Sequence, residues 1–288
     1  MNNNTNEVMS DTSAAPRSNW VAITVAVIGG ALLLGAMGTA AVAGIYASTR
    51  SGGGEAQHLT SSAEGVTSLS VEAVAARFVI TCEGAVDRPG TFDLTTDSGD
   101  RQWRMFERGG HLRVEPNEPW IGASFGGSQR VQDITLGLPA EACDGSSVLN
   151  ADVELGAGKL LIDGSYGEFE ALVEAGDFEF TGDADAFDLE LAAGSADFVA
   201  NNVREAQVTV SAGKVKGEFA GSAPALLEAE VNAGRAVLTL PDELYSIRSD
   251  VSAGSFDNAL RTEQGVTGHE VKVDVSAGHL GLKPRTAL

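Results

Sequence analysis

The sequence predicts an all-β protein: a β-solenoid or β-helix-like stack of about seven or more short repeats, preceded by a single N-terminal transmembrane helix. Three observations predict it. A six-residue phrase ending in Ala-Gly recurs seven times between Val153 and Gly278. Apolar residues alternate with period two on both sides of most of the repeat glycines. An uncharged run, Val21 to Ala47, lies ahead of the whole repeated region.

In chain order, residues 1–19 are polar and rich in Asn, Ser and Thr, the composition of a disordered tail. Trp20 opens the apolar run. At 1.5 Å per residue the span 20–47 crosses a bilayer core of about 30 Å, and Trp20 and Tyr46 suit its two interfaces. The run is long for the apolar part of a signal peptide, which favours an uncleaved anchor. Ala41-Val42-Ala43 before Gly44 resembles a cleavage site, so a cleaved secretion signal is the alternative. Arg17 and Arg50 balance across the span and do not orient it. Ser51-Gly52-Gly53-Gly54 then opens a flexible linker over 48–68. Beyond it lie the only two cysteines, Cys82 and Cys143, a candidate disulfide if this side is oxidising and a pair of buried thiols otherwise. The expectation is a single-pass protein of the cell membrane, with a cytoplasmic N-terminus and an extracellular domain over 69–288.

Residues 69–145 read as an irregular β cap. Ser70 to Ile80, Gly90 to Thr95, Gln102 to Phe106, His111 to Glu115 and Arg130 to Leu138 have strand character between Gly, Pro and Asp turns. Trp103, Phe106, Leu112 and Val114 suit core and hairpin packing. A cap is needed because an uncovered first rung would pair with other chains.

The repeats occupy 150–283. Their glycines are Gly158, Gly176, Gly194, Gly213, Gly234, Gly254 and Gly278, spaced 18, 18, 19, 21, 20 and 24 residues apart. The apolar positions are three and five before the glycine (Leu155 and Val153, Leu191 and Leu189) and two and four after it (Leu160 and Ile162, Phe178 and Phe180). Odd parity before and even parity after cannot share one face of a straight strand, so the chain must turn or bulge at Ala-Gly. The glycine supplies a backbone geometry that a Cβ would forbid, and the alanine before it is expected in an inward corner too tight for a larger side chain. Lys283-Pro284-Arg285, after the last repeat, is expected to protect the terminal edge with charge and a missing donor.

Composition narrows the function. The chain has 288 residues, 35 glycines and only 6% aromatics, which suits a thin core of small residues. Residues 1–50 are charge-balanced, so the net charge of −21 falls entirely on the rest. Such a surface repels nucleic acid and anionic headgroups, and no nucleic-acid partner is expected.

No catalytic residue and no cofactor motif emerges, and the expectation is a protein that is not an enzyme. His58, His111, His269 and His279 are scattered without metal-ligand spacing. Gly158-Lys159 and Gly213-Lys214 lack the remaining residues of a phosphate loop. Ser211, Ser252 and Ser276 precede corners without recurring His and Asp partners. The best metal constellation is Asp183, Asp185 and Asp188 with Asp177 and Glu179. From it Asp177, Asp183 and Asp185 are the calcium candidates. The spacing of calcium-binding repeats is missing, and a solvated acidic face explains these residues without a metal.

Two segments resemble a known bacterial family. Asp133-Ile134-Thr135-Leu136-Gly137-Leu138-Pro139 looks like the strand-then-proline segment ahead of the repeats in the DUF4097 putative-adhesin family. Asp152 to Gly164, with strand, Ala-Gly, strand and Asp163-Gly164, looks like its repeat. The resemblance covers about residues 69–283. It implies an extended β-solenoid-like domain, often tethered at the bacterial surface, with no agreed catalytic residues. With the anchor and the linker it points to a cell-surface protein of adhesin type. That protein would meet the lipid bilayer through 20–47 and bind a cell-wall polymer or a surface or membrane protein. Some relatives are similar to domains tied to cell-envelope stress signalling, which makes a regulatory module acting through a membrane partner the alternative.

Overall fold

The computed structural model describes residues 56–87, 89–97, 101–117, 131–146, 148–263 and 268–285. The tail and the span expected over 20–47 lie outside the described residues. Among the described residues no helix is long and apolar enough to cross a membrane.

The described chain is all-β, with its strands joined in one hydrogen-bonded network. The cap contributes β1 (His58–Ser62), β2 (Ser68–Thr81), β3 (Thr91–Thr96), β4 (Trp103–Arg108), β5 (His111–Pro116) and β6 (Gln132–Gly137), then the single-turn helix α1 (Ala140–Cys143). The repeats form β7 (Asn150–Val173), β8 (Gly176–Asn201), β9 (Glu205–Ala220), β10 (Leu226–Val231) and β11 (Arg235–Leu240). They continue through β12 (Leu244–Val251), β13 (Ser255–Asn258), β14 (Arg261–Thr262), β15 (Glu270–Val275) and β16 (His279–Pro284).

Each repeat is a first flank before the Ala-Gly corner and a second flank after it. Neighbouring repeats pair in parallel and in register, so Gly158 lies beside Gly176 and Gly194 beside Gly213. The alternating apolar residues of both flanks point inward: Val153, Leu155, Leu160 and Ile162 are all under 5% exposed. The broadest part of the core is a run of rings. Phe169 packs on Phe180 at 4.5 Å and stacks on Phe187 at 5.6 Å. Phe187 in turn meets Phe198 at 4.8 Å. Burying each such ring stabilises the fold by roughly 1.5–3 kcal/mol. Gly217 breaks the apolar pattern because Phe198 fills its place: a Cβ there would meet the ring at 2.1 Å.

The corner glycines answer mainly to their neighbours. A Cβ on Gly176 would lie 2.2 Å from the Gly158 carbonyl oxygen, and one on Gly194 would lie 2.0 Å from that of Gly176. At Gly213 and Gly234 the distances are 2.6 and 2.7 Å. Every rung thus rests its corner on the carbonyl below, and no side chain fits between. The corner alanines correct an expectation. Ala175, Ala193, Ala212, Ala233, Ala253 and Ala277 are exposed, since the chain turns inward on both sides and leaves the alanine at the outer apex.

Three further differences from the expected organisation are structural. First, part of the expected linker belongs to the cap: β1 pairs antiparallel with β3, and Val66 is buried. Its sequence, His58-Leu59-Thr60-Ser61-Ser62, holds one apolar residue and so no alternation to read. Second, β2 is itself a rung. Val71-Glu72-Ala73 pairs in register with Val153-Glu154-Leu155, and Ala76 lies opposite Gly158. Ala75 sits at φ +50° where the register shifts, unpaired as Gly156 is on β7, and with Ala where the repeats have Gly the motif is hidden. Third, the repeats do not stack in chain order. β15 lies between β10 and β12, and β16 between β11 and β13. The last repeat is therefore interior and the sixth ends the stack. Lys283 and Pro284 pair with Thr239 and Leu240, so they do not protect the terminal edge as expected. Ser249 and Asn258, polar where other repeats are apolar, belong to that terminal rung and are exposed.

Candidate functional site

Parallel, in-register stacking places equivalent outward residues in columns about 4.8 Å apart. On the first-flank face the columns are mostly acidic, although the first of them continues through Gln207 and Glu228 to Lys272 and Arg248. Glu170 lies beside Asp188, with Asp152 one rung earlier. A second column runs through Glu72, Glu154 and, further along, Glu230, Asp274 and Asp250. The second-flank face is mixed: Lys214 sits beside Arg235, and Lys159 meets Glu179 at 2.6 Å. This segregation is invisible in the linear sequence, because one residue of offset moves a charge to the other side of a strand.

The acidic columns perturb one another. Partial burial pushes the Asp188 carboxyl up to about 6, with the charges of Glu170 and Glu190 adding to it. Burial also raises Glu170, assisted by Asp152, Glu190 and Glu168. Asp152 and Glu154 are raised by burial as well, and Arg113 opposes the rise in both. The face thus attracts cations and basic groups over the rungs that carry Asp152, Glu170 and Asp188. It presents no convergent oxygen cage. Among the described residues no group of three or more His, Cys, Asp or Glu is placed to hold a metal ion.

The calcium candidates are not brought together. Asp177 and Asp183 are six residues apart on the extended β8, about 20 Å along the strand. Asp177 accepts a hydrogen bond from the Ser195 hydroxyl at 2.5 Å, and Asp183 accepts one from the Asn202 amide at 2.8 Å. Asp185 lies two residues further along β8, where its backbone carbonyl accepts from the Arg204 N–H.

The histidines are equally dispersed. His58 lies 3.7 Å from Asp93, His111 bonds the Ser68 hydroxyl at 2.8 Å, and His269 donates from Nδ1 to the Pro224 carbonyl at 2.9 Å. His279 gathers Ser255 at 2.9 Å and Asp257 at 3.8 Å, a grouping the sequence reading missed because 24 residues separate Ser255 from His279. Both partners meet the same Nδ1 atom. A nucleophile–base–acid relay needs serine and aspartate on opposite ring nitrogens, so this trio cannot run one.

Cys82 and Cys143 are joined by a disulfide that ties the end of β2 to α1. Close by is a shallow depression of about 390 Å³, lined by Ser62, Glu64, Gly90, Pro139 and Glu141. A second of about 390 Å³ lies beside Arg235, Asp257 and His279. Neither encloses a convergent set of polar groups of the kind a small-molecule site needs.

No protein-family model matches the chain, and no curated protein matches it. Among solved structures it is similar to that of a putative cell adhesion protein from Clostridium sporogenes ATCC 15579. That likeness has 12% identity and a TM-score of 0.35 over 81% of this chain and 100% of the other. A putative adhesin from Bacteroides fragilis NCTC 9343 is 12% identical at a TM-score of 0.30, covering 80% and 97%. One from Parabacteroides distasonis ATCC 8503 is 12% identical at 0.34, covering 79% and 97%. Likenesses this distant transfer neither architecture nor role. The resemblance to the DUF4097 family, read from Asp133 to Pro139 and Asp152 to Gly164, is not matched by a family model.

Proposed function

We propose that the chain is a non-catalytic, membrane-anchored cell-surface protein whose repeats form a rigid acidic β-solenoid rod. The rod displays its faces to an extended partner, a cell-wall polymer or a surface protein carrying basic groups. The observation that carries this reading is the columnar acidic face. A ligand that repeats along its own length can meet carboxylates on successive rungs from Asp152 through Glu170 to Asp188, whereas a small substrate finds no enclosed cleft among the described residues. The anchor over 20–47 would hold the rod at the outer side of the membrane, with the N-terminus in the cytoplasm.

The test is co-sedimentation of the full-length protein, in mild detergent, with purified cell walls and with envelope membranes. Saturable pelleting that weakens as salt rises is the expected outcome, since exposed charge pairs are screened within about 10 Å at 0.1 M salt. No pelleting with either material at any salt would remove the proposal. Pelleting that requires added Ca²⁺ would show that the acids act through a bridging cation.

A further inference from the structure

We propose that the open rung β12–β13 is a docking edge for a second copy of this chain, the two β12 strands pairing antiparallel about Ser249. The ends of the stack differ in a way that directs attention here. At the other end, β2 is covered along its outer side by β5 and β6. β12 is covered only at Leu244 and Tyr245, by the two-residue β14. From Ser246 to Val251 it pairs with β15 on one side and with nothing described on the other. The residues that should close the core there are open: Val251 is 41% exposed, whereas Val275 beside it is 0% exposed.

The backbone parity fits a strand partner. Ser246 and Ser252 donate their N–H groups inward, to His269 and Val275. The intervening odd-numbered residues, Ile247, Ser249 and Val251, therefore turn both N–H and C=O to the open side. Opposing Ser249 to Ser249 of a second copy sets Ile247 against Val251 and Val251 against Ile247. All three pairs can then exchange both backbone hydrogen bonds.

The side chains fit the same register. Inward, Ile247 and Val251 extend each copy's apolar core into the other. Outward, Arg248 faces Asp250 of the other copy, twice over by the twofold symmetry. Asp250 lies beside Asp274 on the inner rung, a like-charge neighbour, and no cation of its own chain reaches it among the described residues. Arg248 is 77% exposed; it holds Glu270 at 2.9 Å through Nη1, and its remaining guanidinium donors are available to the second copy. A register shifted by two residues would lose both charge pairs. The occupant that suits this edge is therefore the chain itself.

Cysteine crosslinking of the full-length protein in membranes tests this, because the native cysteines are already bonded to each other. In the proposed register the two Ser249 Cα atoms lie about 5.5 Å apart, within disulfide reach. Ser249→Cys should oxidise to a covalent dimer, whereas Ser195→Cys, on a central rung, should remain monomeric. Asp250→Arg or Arg248→Asp, each combined with Ser249→Cys, should lower the crosslinked fraction at least about tenfold, and the double exchange should restore it. The proposal is overturned if Ser249→Cys fails to crosslink while the melting curve is unchanged. It is also overturned if both charge reversals crosslink as well as the parent, or if the double exchange is no better than either single. A crosslink from position 249 to a different protein would equally overturn it, assigning the edge to a foreign strand.

Discussion

The cap and the repeats solve one problem by different means. Both must hold strands together around a buried apolar core, parallel ones in the repeats and mostly antiparallel ones in the cap. In the repeats, cohesion is local and periodic: each rung rests its corner glycine on the carbonyl of the rung below, and like residues stack on like. In the cap only β2 follows the repeat, and elsewhere long-range single contacts take over. The buried Trp103 indole donates to Gln132 at 3.1 Å across 29 residues, and the Cys82–Cys143 bond spans 61. Repetition makes a stack tolerant of losing one side chain but intolerant of anything that separates two backbones. The irregular cap has the opposite sensitivity.

The largest expected effect sharpens that contrast. Replacing both Cys82 and Cys143 with Ala removes the closure of a 61-residue loop, worth about 4 kcal/mol by chain entropy. The loss should be confined to the cap. Hydrogen exchange should accelerate in β2, β3 and β6 while β8 and β9 stay protected, and uniform loss along the chain would contradict the division. Next, Gly194→Val should cost about 3 kcal/mol or more, because the added carbon meets the Gly176 carbonyl and the residue holds φ +118°. Gly90→Ala in the cap has φ +67° but open space around it, and should cost only about 1 kcal/mol. Equal melting shifts for the two variants would mean that rung contact does not govern the corners.

The third effect concerns pH. The carboxyl of Asp188 is raised in the folded state, so the folded protein holds more protons than the unfolded chain between its ordinary value, 3.8, and about 6. Stability should therefore rise as pH falls from about 6 toward 4 and be lowest above 6. After discounting for solvent screening the gain is roughly 1–2 kcal/mol. Asp188→Asn should raise the melting temperature at pH 7 and flatten its dependence below 6; an unchanged slope would show that the column does not control it. Smallest of all, Ala193→Gln at an outer corner should change stability by less than about 0.5 kcal/mol, as for other exposed sites. A large loss would return the corner alanine to the interior.

Much of the repeat region was legible because its information is local. Leu189 and Leu191 before Gly194, and Phe198 after it, declare the strand parity within a dozen residues. The five strands expected in the cap coincide closely with β2 to β6 for the same reason. The rung hidden in β2 was missed because Ala75-Ala76 stands where Ala-Gly was sought, and β1 because Leu59 alone carries its apolar signal. The acidic face was less legible. Asp177, Asp183 and Asp185 look close in the chain, whereas the carboxylates that act on one another are Asp152, Glu170 and Asp188, one rung apart.

Sequence alone determined the all-β class, the positions of the corners and, in most flanks though not at the corner alanines, which side chains face the core. These follow from side-chain alternation and from glycine's missing Cβ, and each operates over a few residues. Tertiary structure alone decided the order of the rungs. The apolar columns of every repeat are interchangeable, so alternation gives the last repeat no preference for the sixth over the fifth as its neighbour. The 24-residue spacing before Gly278, the longest in the array, lets the chain pass the sixth rung and return beside the fifth. That placement leaves Ser249 and Asn258 at an end, where a polar side chain meets water instead of being buried without a partner.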